Sequence, residues 1–209
     1  MFNSWRRAVS IAQIFIGEIL FDGSVAIDAT VGTGEDTLFL ASSVGPSGQI
    51  FAFDIQEQAI AAAEQKIKQR HLDKRVKFYL ASHEALVSLV KVKVNAVMFN
   101  LGYLPGGDHS IITKAESTLA ALCQSMELLL PGGRISIVLY TGHEGSLEEC
   151  TAVEKYVSKL DNKLYNVIKL NFYNRKNPSP FLILIEKEGP RSEKQAAEID
   201  SGYSQPADY

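Results

Sequence analysis

Short apolar segments alternate with amphipathic segments along most of the chain, and this alternation limits the possible folds more than any other feature. Several of the short segments are apolar throughout, as is typical of strands that are buried on both faces of a parallel sheet. The longer segments are rich in Ala, Glu, Gln and Lys, which favour helices. The pattern predicts an α/β fold in which helices cover both faces of a mostly parallel, seven-stranded sheet.

The element boundaries follow from the same pattern. Strands are predicted over 24–30, 48–55, 75–82, 94–100, 134–140, 164–173 and 180–188. Helices are predicted over about 1–20, 35–44, 56–70, 86–90, 112–130 and 146–160, with the fifth stopped by Pro131, Gly132 and Gly133. A short loop joins the last two strands, so they are expected to form an antiparallel hairpin. We expect one domain over 1–188 and a disordered tail over 189–209, which lacks apolar periodicity.

Charge gives no global argument for a nucleic-acid partner, because the chain of 209 residues carries a net charge of −3. The tail holds four acidic and two basic residues, so the rest of the chain is nearly neutral. Contact with nucleic acid would therefore depend on local patches. Candidates for phosphate contacts are Arg6, Arg7, Arg175 and Lys176.

The N-terminal segment and the cysteines favour a cytoplasmic protein. Arg6 and Arg7 precede an apolar run that resembles a short signal sequence, but Glu18 ends it before the roughly 20 residues that a membrane span needs. An amphipathic helix packed on the domain is the preferred interpretation, and no membrane contact is expected. Cys123 and Cys150 lack metal-ligand spacing and are predicted to be buried, reduced thiols, and no metal is expected.

A glycine-rich turn follows the first predicted strand, in the segment DATVGTGEDT (residues 28–37). Gly32 and Gly34 allow a tight turn, and the helix after it presents free N–H groups at its start. Thr37 stands where the dinucleotide fingerprint has its third glycine, which disfavours NAD. The carboxylate of Asp28 suits the ammonium and sulfonium groups of S-adenosylmethionine better than it suits a pyrophosphate.

Polar residues also follow the second and third strands, at the edge of the sheet where ligands bind. Asp54 is placed to accept both hydroxyls of a ribose, Ile55 to pack on an adenine face, and Gln56 opens the next helix. Ser82 and His83 lie where the adenine edge is expected. A helix cap explains Ser82 equally well, and His83 could instead act as a general base or be peripheral.

The fourth strand ends in the segment NLGYLPGGD (residues 100–108). The amide oxygen of Asn100 and the carbonyl of Leu101 can hold the N–H groups of an amine and aim its lone pair at a methyl donor. Gly102 lets the backbone expose that carbonyl, and the ring of Tyr103 can stack on a base. This pattern resembles the Asn/Asp-Pro-Pro-Tyr signature of class I amino-methyltransferases, with Leu101 and Gly102 in place of the two prolines.

Several segments together resemble one bacterial family, once labelled rRNA methylases, that includes tRNA wobble-uridine methyltransferases. They are DATVGTGEDT, FDIQ, FNLGYLPGGD, YTGHEG (140–145) and NPSPFLILIEK (177–187), and the resemblance spans residues 28–187. It implies a Rossmann-like class I methyltransferase fold, S-adenosylmethionine as cofactor and the anticodon region of tRNA as partner. It also implies N-methylation of the 5-aminomethyl group of wobble 2-thiouridine. Dimers are common in the family, and the sequence leaves the oligomeric state open.

The resemblance and the strand ends together define the predicted site. The predicted cofactor-binding residues are Asp28, Thr30, Gly32, Thr33, Gly34, Asp36, Thr37, Asp54, Ile55, Gln56, Ser82, His83, Asn100, Leu101 and Gly102. Asn100 and Tyr103 are the predicted catalytic residues, and Tyr103, Pro105, Gly106, Gly107, Asp108 and His143 are predicted to bind the nucleoside. His143 could equally be a solvated loop residue.

Three other functions stay open from the sequence. An rRNA or small-amine methyltransferase would use the same cofactor turn. An NAD-dependent oxidoreductase is disfavoured by Thr37 and by the segment that begins at Asn100. A non-catalytic cofactor-binding protein would be expected to have lost the glycine turn or a strand-end acid, and both are intact.

Overall fold

Seven strands form a single sheet in a computed structural model that describes residues 6–102, 114–142, 145–175 and 179–189. The order across the sheet is β3-β2-β1-β4-β5-β7-β6, and only β7 runs antiparallel to its neighbours. The strands are β1 (Val25–Asp28), β2 (Gln49–Asp54), β3 (Val76–Leu80), β4 (Val94–Leu101), β5 (Leu129–Leu139), β6 (Tyr165–Leu170) and β7 (Phe181–Lys187). The predicted seven-stranded, mostly parallel sheet with antiparallel C-terminal strands is confirmed.

Helices cover both faces of the sheet because neighbouring residues of each buried strand point to opposite sides. Ala26 packs with α1, α2 and α3, whereas the next residue, Ile27, packs with α4, α5 and α6. The helices are α1 (Ala8–Gly17), α2 (Glu35–Ser43), α3 (Glu57–Gln69), α4 (Leu86–Leu89), α5 (Ala115–Leu128) and α6 (Ser146–Val157). The strand order reverses between β1 and β4, and this arrangement opens a crevice beyond their carboxyl ends.

Helix α1 is shorter than the predicted helix over residues 1–20, and it packs on the sheet as expected. Ala8, Ala12 and Ile16 recur at a spacing of four residues and are all buried. The helix contacts β5 and β7, so its N-terminal end reaches the edge where the parallel strands finish. None of the helices in the described parts of the chain is both long and apolar enough to cross a membrane.

The junction between α5 and β5 differs from the sequence prediction of a helix through residue 130. Helix α5 ends at Leu128, and Leu129 is already extended (φ −66°, ψ 130°) and aligned with Val94 of β4. Leu130 precedes a proline, which disfavours the helical conformation there. The segment that holds Pro131 is therefore an irregularity within the strand, where the register with β4 shifts, and the helix stops before it.

Both cysteines were predicted to be buried, and this prediction is correct for Cys150 and wrong for Cys123. Cys150 is buried, and burial raises the pKa of its thiol to about 11, so the thiol stays protonated at neutral pH. Cys123 is exposed, because α5 turns its neighbours Ala121 and Leu122 toward the sheet and leaves residue 123 on the solvent side. Both cysteines are free thiols.

Candidate functional site

A cavity of about 750 Å³ lies at the carboxyl ends of the parallel strands and is bordered by the N-terminal half of α1. It lies at the position where open α/β sheets bind their ligands. Most of the predicted cofactor residues line it. They are Thr30, Gly32, Thr33, Asp36, Asp54, Ile55, Gln56, Ser82, His83, Asn100, Leu101 and Gly102.

The turn after β1 is tight because α3 packs directly against it. Gly34 has a φ of 76°, and a Cβ atom built on it would lie 2.8 Å from the Cβ of Ala63. Any side chain at residue 34 would therefore displace α3 or the turn. The N–H of Gly32 donates to Asp54 Oδ2 at 2.8 Å, which fixes the turn after β1 to the end of β2.

Asp28 is buried beneath the turn after β1, which it holds by hydrogen bonds, and it does not line the cavity. Its carboxylate accepts hydrogen bonds from Thr37 Oγ1 at 2.5 Å and from the N–H of Thr30 at 3.1 Å. Burial, together with the nearby carboxylate of Asp36, raises the pKa of Asp28 to about 7. Gly34 and Thr37 are likewise absent from the cavity lining, so these three predicted residues act on a ligand only through the turn that they hold.

Asp36 lines the cavity from the first turn of α2 and is held by α1. Its Oδ1 atom accepts a hydrogen bond from Gln13 Nε2 at 2.8 Å, and only 5% of the residue is exposed. Burial raises the pKa of Asp36 to about 6, so the group is ionised at neutral pH yet poorly solvated. A ligand cation would restore to this carboxylate the stabilisation that burial has removed.

Asp54 contributes a second carboxylate to the same side of the cavity, and we call Asp36 and Asp54 the acidic wall. Each oxygen of Asp54 accepts one backbone N–H, from Gly32 at 2.8 Å and from Gln56 at 2.9 Å. A carboxylate oxygen can accept more than one hydrogen bond, so both oxygens can still receive ligand hydroxyls. Ile55 is 55% exposed and lines the cavity beside Asp54, where it offers an apolar surface.

His83 places a buried imidazole on the cavity lining with one nitrogen unused. Its Nε2 atom has no hydrogen-bond partner among the described residues, and the ring packs edge-on against Phe99 at 6.1 Å. Burial lowers the pKa of His83, which keeps the ring neutral, while a hydrogen bond to the backbone of Ala29 has the opposite effect. A neutral imidazole has one acceptor nitrogen, and Nε2 is that acceptor when the proton lies on Nδ1.

Ser82 and Asn100 occupy the ends of β3 and β4. Ser82 caps the 3-10 turn that begins at His83, since its hydroxyl accepts the N–H of Glu84 at 3.3 Å. The cap interpretation of the serine is thus correct, and Ser82 also lines the cavity. Asn100 donates its backbone N–H to Thr30 Oγ1 at 2.7 Å, while its buried Oδ1 atom has no partner in the described parts of the chain.

Three arginines also line the cavity, and we call Arg6, Arg7 and Arg175 the arginine rim. All three are exposed. Other predicted site residues fall outside the described ranges, and they are Tyr103, Pro105, Gly106, Gly107, Asp108, His143 and Lys176. Within the described residues no group of three potential ligands is arranged to hold a metal ion.

Comparison with known proteins matches this architecture to one family. A sequence model described as "Putative rRNA methylase" matches residues 50–186. An Arabidopsis thaliana protein, "tRNA (mnm(5)s(2)U34)-methyltransferase, chloroplastic", is 35% identical over 193 residues, which is 88% of this chain and 70% of the plant protein.

The chain belongs to this rRNA methylase family.

Solved structures agree with the assignment. A Clostridium thermocellum protein described as a "putative rRNA-methylase" has a TM-score of 0.85 and is 41% identical, with 87% of this chain and 98% of that one covered. A Streptococcus mutans methyltransferase solved with S-adenosylhomocysteine has a TM-score of 0.81 and is 36% identical, with the same coverage. The chain is therefore a class I methyltransferase that depends on S-adenosylmethionine.

The residues that line the cavity fit this cofactor. S-adenosylmethionine carries an ammonium, a sulfonium, a ribose diol and an adenine amino group. The acidic wall supplies carboxylates for the positive charges and the diol, and the unpartnered Nε2 of His83 supplies an acceptor for an amino group.

Sequence reasoning missed two residues that the fold brings to the cavity. Gln13 reaches Asp36 from 23 residues away, and nothing in the pattern of α1 marks it as a partner of the turn. Tyr140 follows β5, and its ring lies 3.5 Å from the position of a Cβ at Gly102. The position of Tyr140 at the end of a strand could have indicated this, because the strands on both sides of the point where the strand order reverses end at the crevice.

Proposed function

We propose that this methyltransferase transfers a methyl group to the amine of 5-aminomethyl-(2-thio)uridine at the wobble position of tRNA, and so forms the methylaminomethyl nucleoside. The observation that carries the proposal is the buried Oδ1 atom of Asn100, a residue of the cavity lining, because this atom has no partner among the described residues. A buried acceptor without a partner costs stability, so its retention suggests a ligand that donates a hydrogen bond. The name of the Arabidopsis relative supports tRNA as the substrate class.

An amine is the acceptor that this geometry suits best. The Asn100 oxygen and the Leu101 carbonyl can each accept one N–H of a neutral primary amine, and the lone pair then points away from both. Gly102 has a φ of 155°, which residues with side chains rarely adopt, so the backbone beside the acceptor is set by this glycine. Orientation of the lone pair is the main contribution that these residues make to the rate.

The acidic wall and His83 are proposed to hold the cofactor. Asp54 accepts the ribose hydroxyls, Asp36 faces the ammonium, and the neutral His83 accepts the adenine amino group through Nε2. When bound, S-adenosylmethionine supplies a methyl group whose bond to sulfur breaks as a bond to the amine nitrogen forms. The product ammonium can lose its extra proton to water after transfer, so no strong base is needed in the protein.

Nucleoside analysis tests the proposal directly. Purified protein is incubated with S-adenosylmethionine and with tRNA from a strain that lacks the gene, and the digested nucleosides are separated by mass spectrometry. We expect the aminomethyl nucleoside to disappear and the methylaminomethyl nucleoside to appear in equal amount. Unchanged nucleosides in the treated tRNA, or normal methylaminomethyl levels in the deletion strain, would reject the wobble assignment.

A second candidate, methylation of rRNA or of a small amine, is favoured by the description of the family model. Labelled methyl groups that appear in rRNA and not in tRNA, in a mixture of both, would select this candidate. Labelled methyl groups confined to tRNA would reject it.

A further inference from the structure

The arginine rim is assembled from segments that are far apart in the chain. Arg6 and Arg7 precede α1, whereas Arg175 lies after β6. Arg175 donates from Nη2 to the carbonyl of Arg6 at 2.6 Å, and its guanidinium lies 3.5 Å from the centroid of the Phe172 ring. The hydrogen bond joins the N-terminal segment to the loop after β6, so the three positive charges lie near one another at the cavity.

The rim differs electrostatically from Arg134, which is partly buried and paired with two carboxylates. Arg134 is held by Glu18 at 2.8 Å and by Glu186 at 2.6 Å. Among the residues that the structure describes, no carboxylate lies within 4.0 Å of any nitrogen of the rim. Helix α1 adds to the positive potential, because its first turn contains no acidic residue and Arg7 at the N-cap makes no side-chain cap. The rim is thus available to an anion.

The charge of the rim indicates which anion binds there. The cofactor carries two positive groups, which the rim repels and the acidic wall attracts, so most of the cofactor belongs beside the acidic wall. Its one carboxylate and a nucleic-acid phosphate share the same anionic oxygen chemistry. Three arginines on two segments provide more positive charge, over a wider surface, than one carboxylate requires, which favours a polyanion.

An exposed aromatic ring lies beside the rim. Tyr173 is fully exposed, and it comes two residues before Arg175 in the same loop. The neighbouring Phe172 is covered by the Arg175 guanidinium, so Tyr173 is the ring of this pair that is open to solvent. Arginines with an interleaved aromatic residue are typical of surfaces that bind single-stranded RNA, where bases stack on rings and phosphates contact cations.

We infer that the arginine rim binds the phosphates that flank the target nucleotide of an RNA substrate, and that Tyr173 stacks on a neighbouring base. The inference rests on the proposed RNA substrate, and it specifies the side of the cavity from which the strand reaches Asn100. The acidic wall would repel the same phosphates, so the strand lies over the rim and α1.

Binding measurements test this inference without relying on turnover. An anticodon stem-loop RNA is titrated by fluorescence anisotropy in the presence of S-adenosylhomocysteine at several salt concentrations. The test variant is Arg6→Gln/Arg7→Gln/Arg175→Gln, and the matched control removes three exposed cations outside the cavity, Arg70→Gln/Lys74→Gln/Lys159→Gln. A second variant, Arg6→Gln/Arg7→Gln, keeps the stack of Arg175 on Phe172 and decides the outcome if the triple variant is unstable.

The triple variant should bind the stem-loop at least about tenfold more weakly than the control, and the slope of log affinity against log salt should fall by about 2. Its affinity for S-adenosylhomocysteine should stay within about twofold of wild type. Tyr173→Ala should weaken RNA binding about fivefold and leave the salt slope unchanged.

Three results would overturn the inference. The first is that wild-type protein does not bind the stem-loop. The second is that the triple variant and its control lose the same amount of RNA affinity. The third is that the triple variant loses affinity for S-adenosylhomocysteine but keeps its affinity for RNA. The last result would assign the rim to the cofactor carboxylate. Failure of the inference is distinguishable from failure of the proposed function, because wild-type protein can methylate tRNA whether or not the rim carries the strand.

Discussion

The two sides of the cavity are built in opposite ways. The acidic wall is embedded in the fold, where Asp54 receives two backbone N–H groups and Asp36 is 5% exposed and held by Gln13. The arginine rim lies on exposed segments outside the helices and strands, and its contacts are one carbonyl and one aromatic ring. The acidic wall is held by hydrogen bonds within the fold, whereas the residues of the arginine rim are exposed to solvent.

This difference matches what each side is proposed to bind. A small cofactor with charges at fixed positions is best held by groups whose orientation is already set, since little entropy is then lost on binding. An RNA strand is longer and more variable, and it is attracted by charge over a distance before it makes specific contacts. Asn100 also lines the cavity, and it is proposed to orient the acceptor amine.

The largest effect is expected at Asn100. Asn100→Ala removes the proposed acceptor of the amine N–H, so the turnover rate should fall at least about a hundredfold because the lone pair is no longer aimed. Affinity for S-adenosylhomocysteine, measured by calorimetric titration, should change by no more than about twofold. Asn166→Ala makes the same chemical change on an exposed strand and should retain full activity. Full turnover in Asn100→Ala would place the acceptor amine elsewhere.

The next largest effect is expected at Asp54. Asp54→Asn replaces one carboxylate oxygen with an amide nitrogen, so either the bond from Gly32 or a ribose contact is lost. Affinity for S-adenosylhomocysteine should fall about ten- to a hundredfold, because hydrogen bonds to charged groups contribute strongly. Asp161→Asn, in an exposed turn where Asp161 accepts the N–H of Lys163, is the control. RNA affinity should be the same in both variants, and a loss of RNA affinity in Asp54→Asn alone would argue against the separation of the two sides.

A smaller effect is expected at His83 and concerns the adenine amino group. Wild-type protein should prefer S-adenosylhomocysteine to its inosine analogue, which has a carbonyl oxygen in place of the amino group, by at least about tenfold. His83→Leu removes the acceptor and keeps an apolar side chain in the buried site, so the preference should shrink to near unity. Competition titrations of the two ligands measure this ratio. An unchanged preference in a folded His83→Leu protein would show that another group reads the adenine.

The smallest effect is the pH dependence of cofactor binding. Asp36 must be ionised to hold an ammonium, and burial raises its pKa to about 6, so its charge is lost as the pH falls through that value. Affinity for S-adenosylhomocysteine should therefore be about fourfold weaker at pH 5.5 than at pH 7.5. Asp36 is faced by Gln13, Glu35 and Asp28, of which Asp28, with a pKa of about 7, titrates in the same range.

Asp36→Asn tests the origin of this dependence. The variant should bind more weakly than wild type at pH 7.5, and most of the pH dependence should be lost. Burial lowers the pKa of His83, so its protonation is shifted to lower pH. A full pH dependence that persists in Asp36→Asn would assign it to Asp28 or to another group.

The fold and the acidic wall were predictable because their signals are local. Each strand is a short apolar run, and Asp54 directly follows one, so its place at the ligand edge follows from the chain order. The predicted end of α5 was wrong because Leu129 pairs with Val94 as part of the sheet, although the local sequence pattern is helical. Asp28 was expected to line the cavity, but its burial beneath the turn depends on the side-chain bond from Thr37.

Contacts between distant segments could not be predicted in this way. The bond from Gln13 to Asp36 joins residues 23 apart, and the bond from Arg175 to Arg6 joins residues 169 apart. Arg6, Arg7 and Arg175 were named as phosphate candidates from their charge, but nothing in the sequence indicated that they share one side of a cavity. Such pairings depend on how α1 packs against the sheet, which single-sequence patterns do not encode.

A crystal structure with S-adenosylhomocysteine is the most direct test of the proposal that Asp54, His83 and Asn100 are the ligand contacts of the cavity. The account predicts the ribose hydroxyls on Asp54, the adenine amino group within hydrogen-bonding distance of His83 Nε2, and Asn100 Oδ1 beside the sulfur and free to accept an amine. A cofactor bound away from Asp54, or one that itself occupies Asn100 Oδ1, would contradict it.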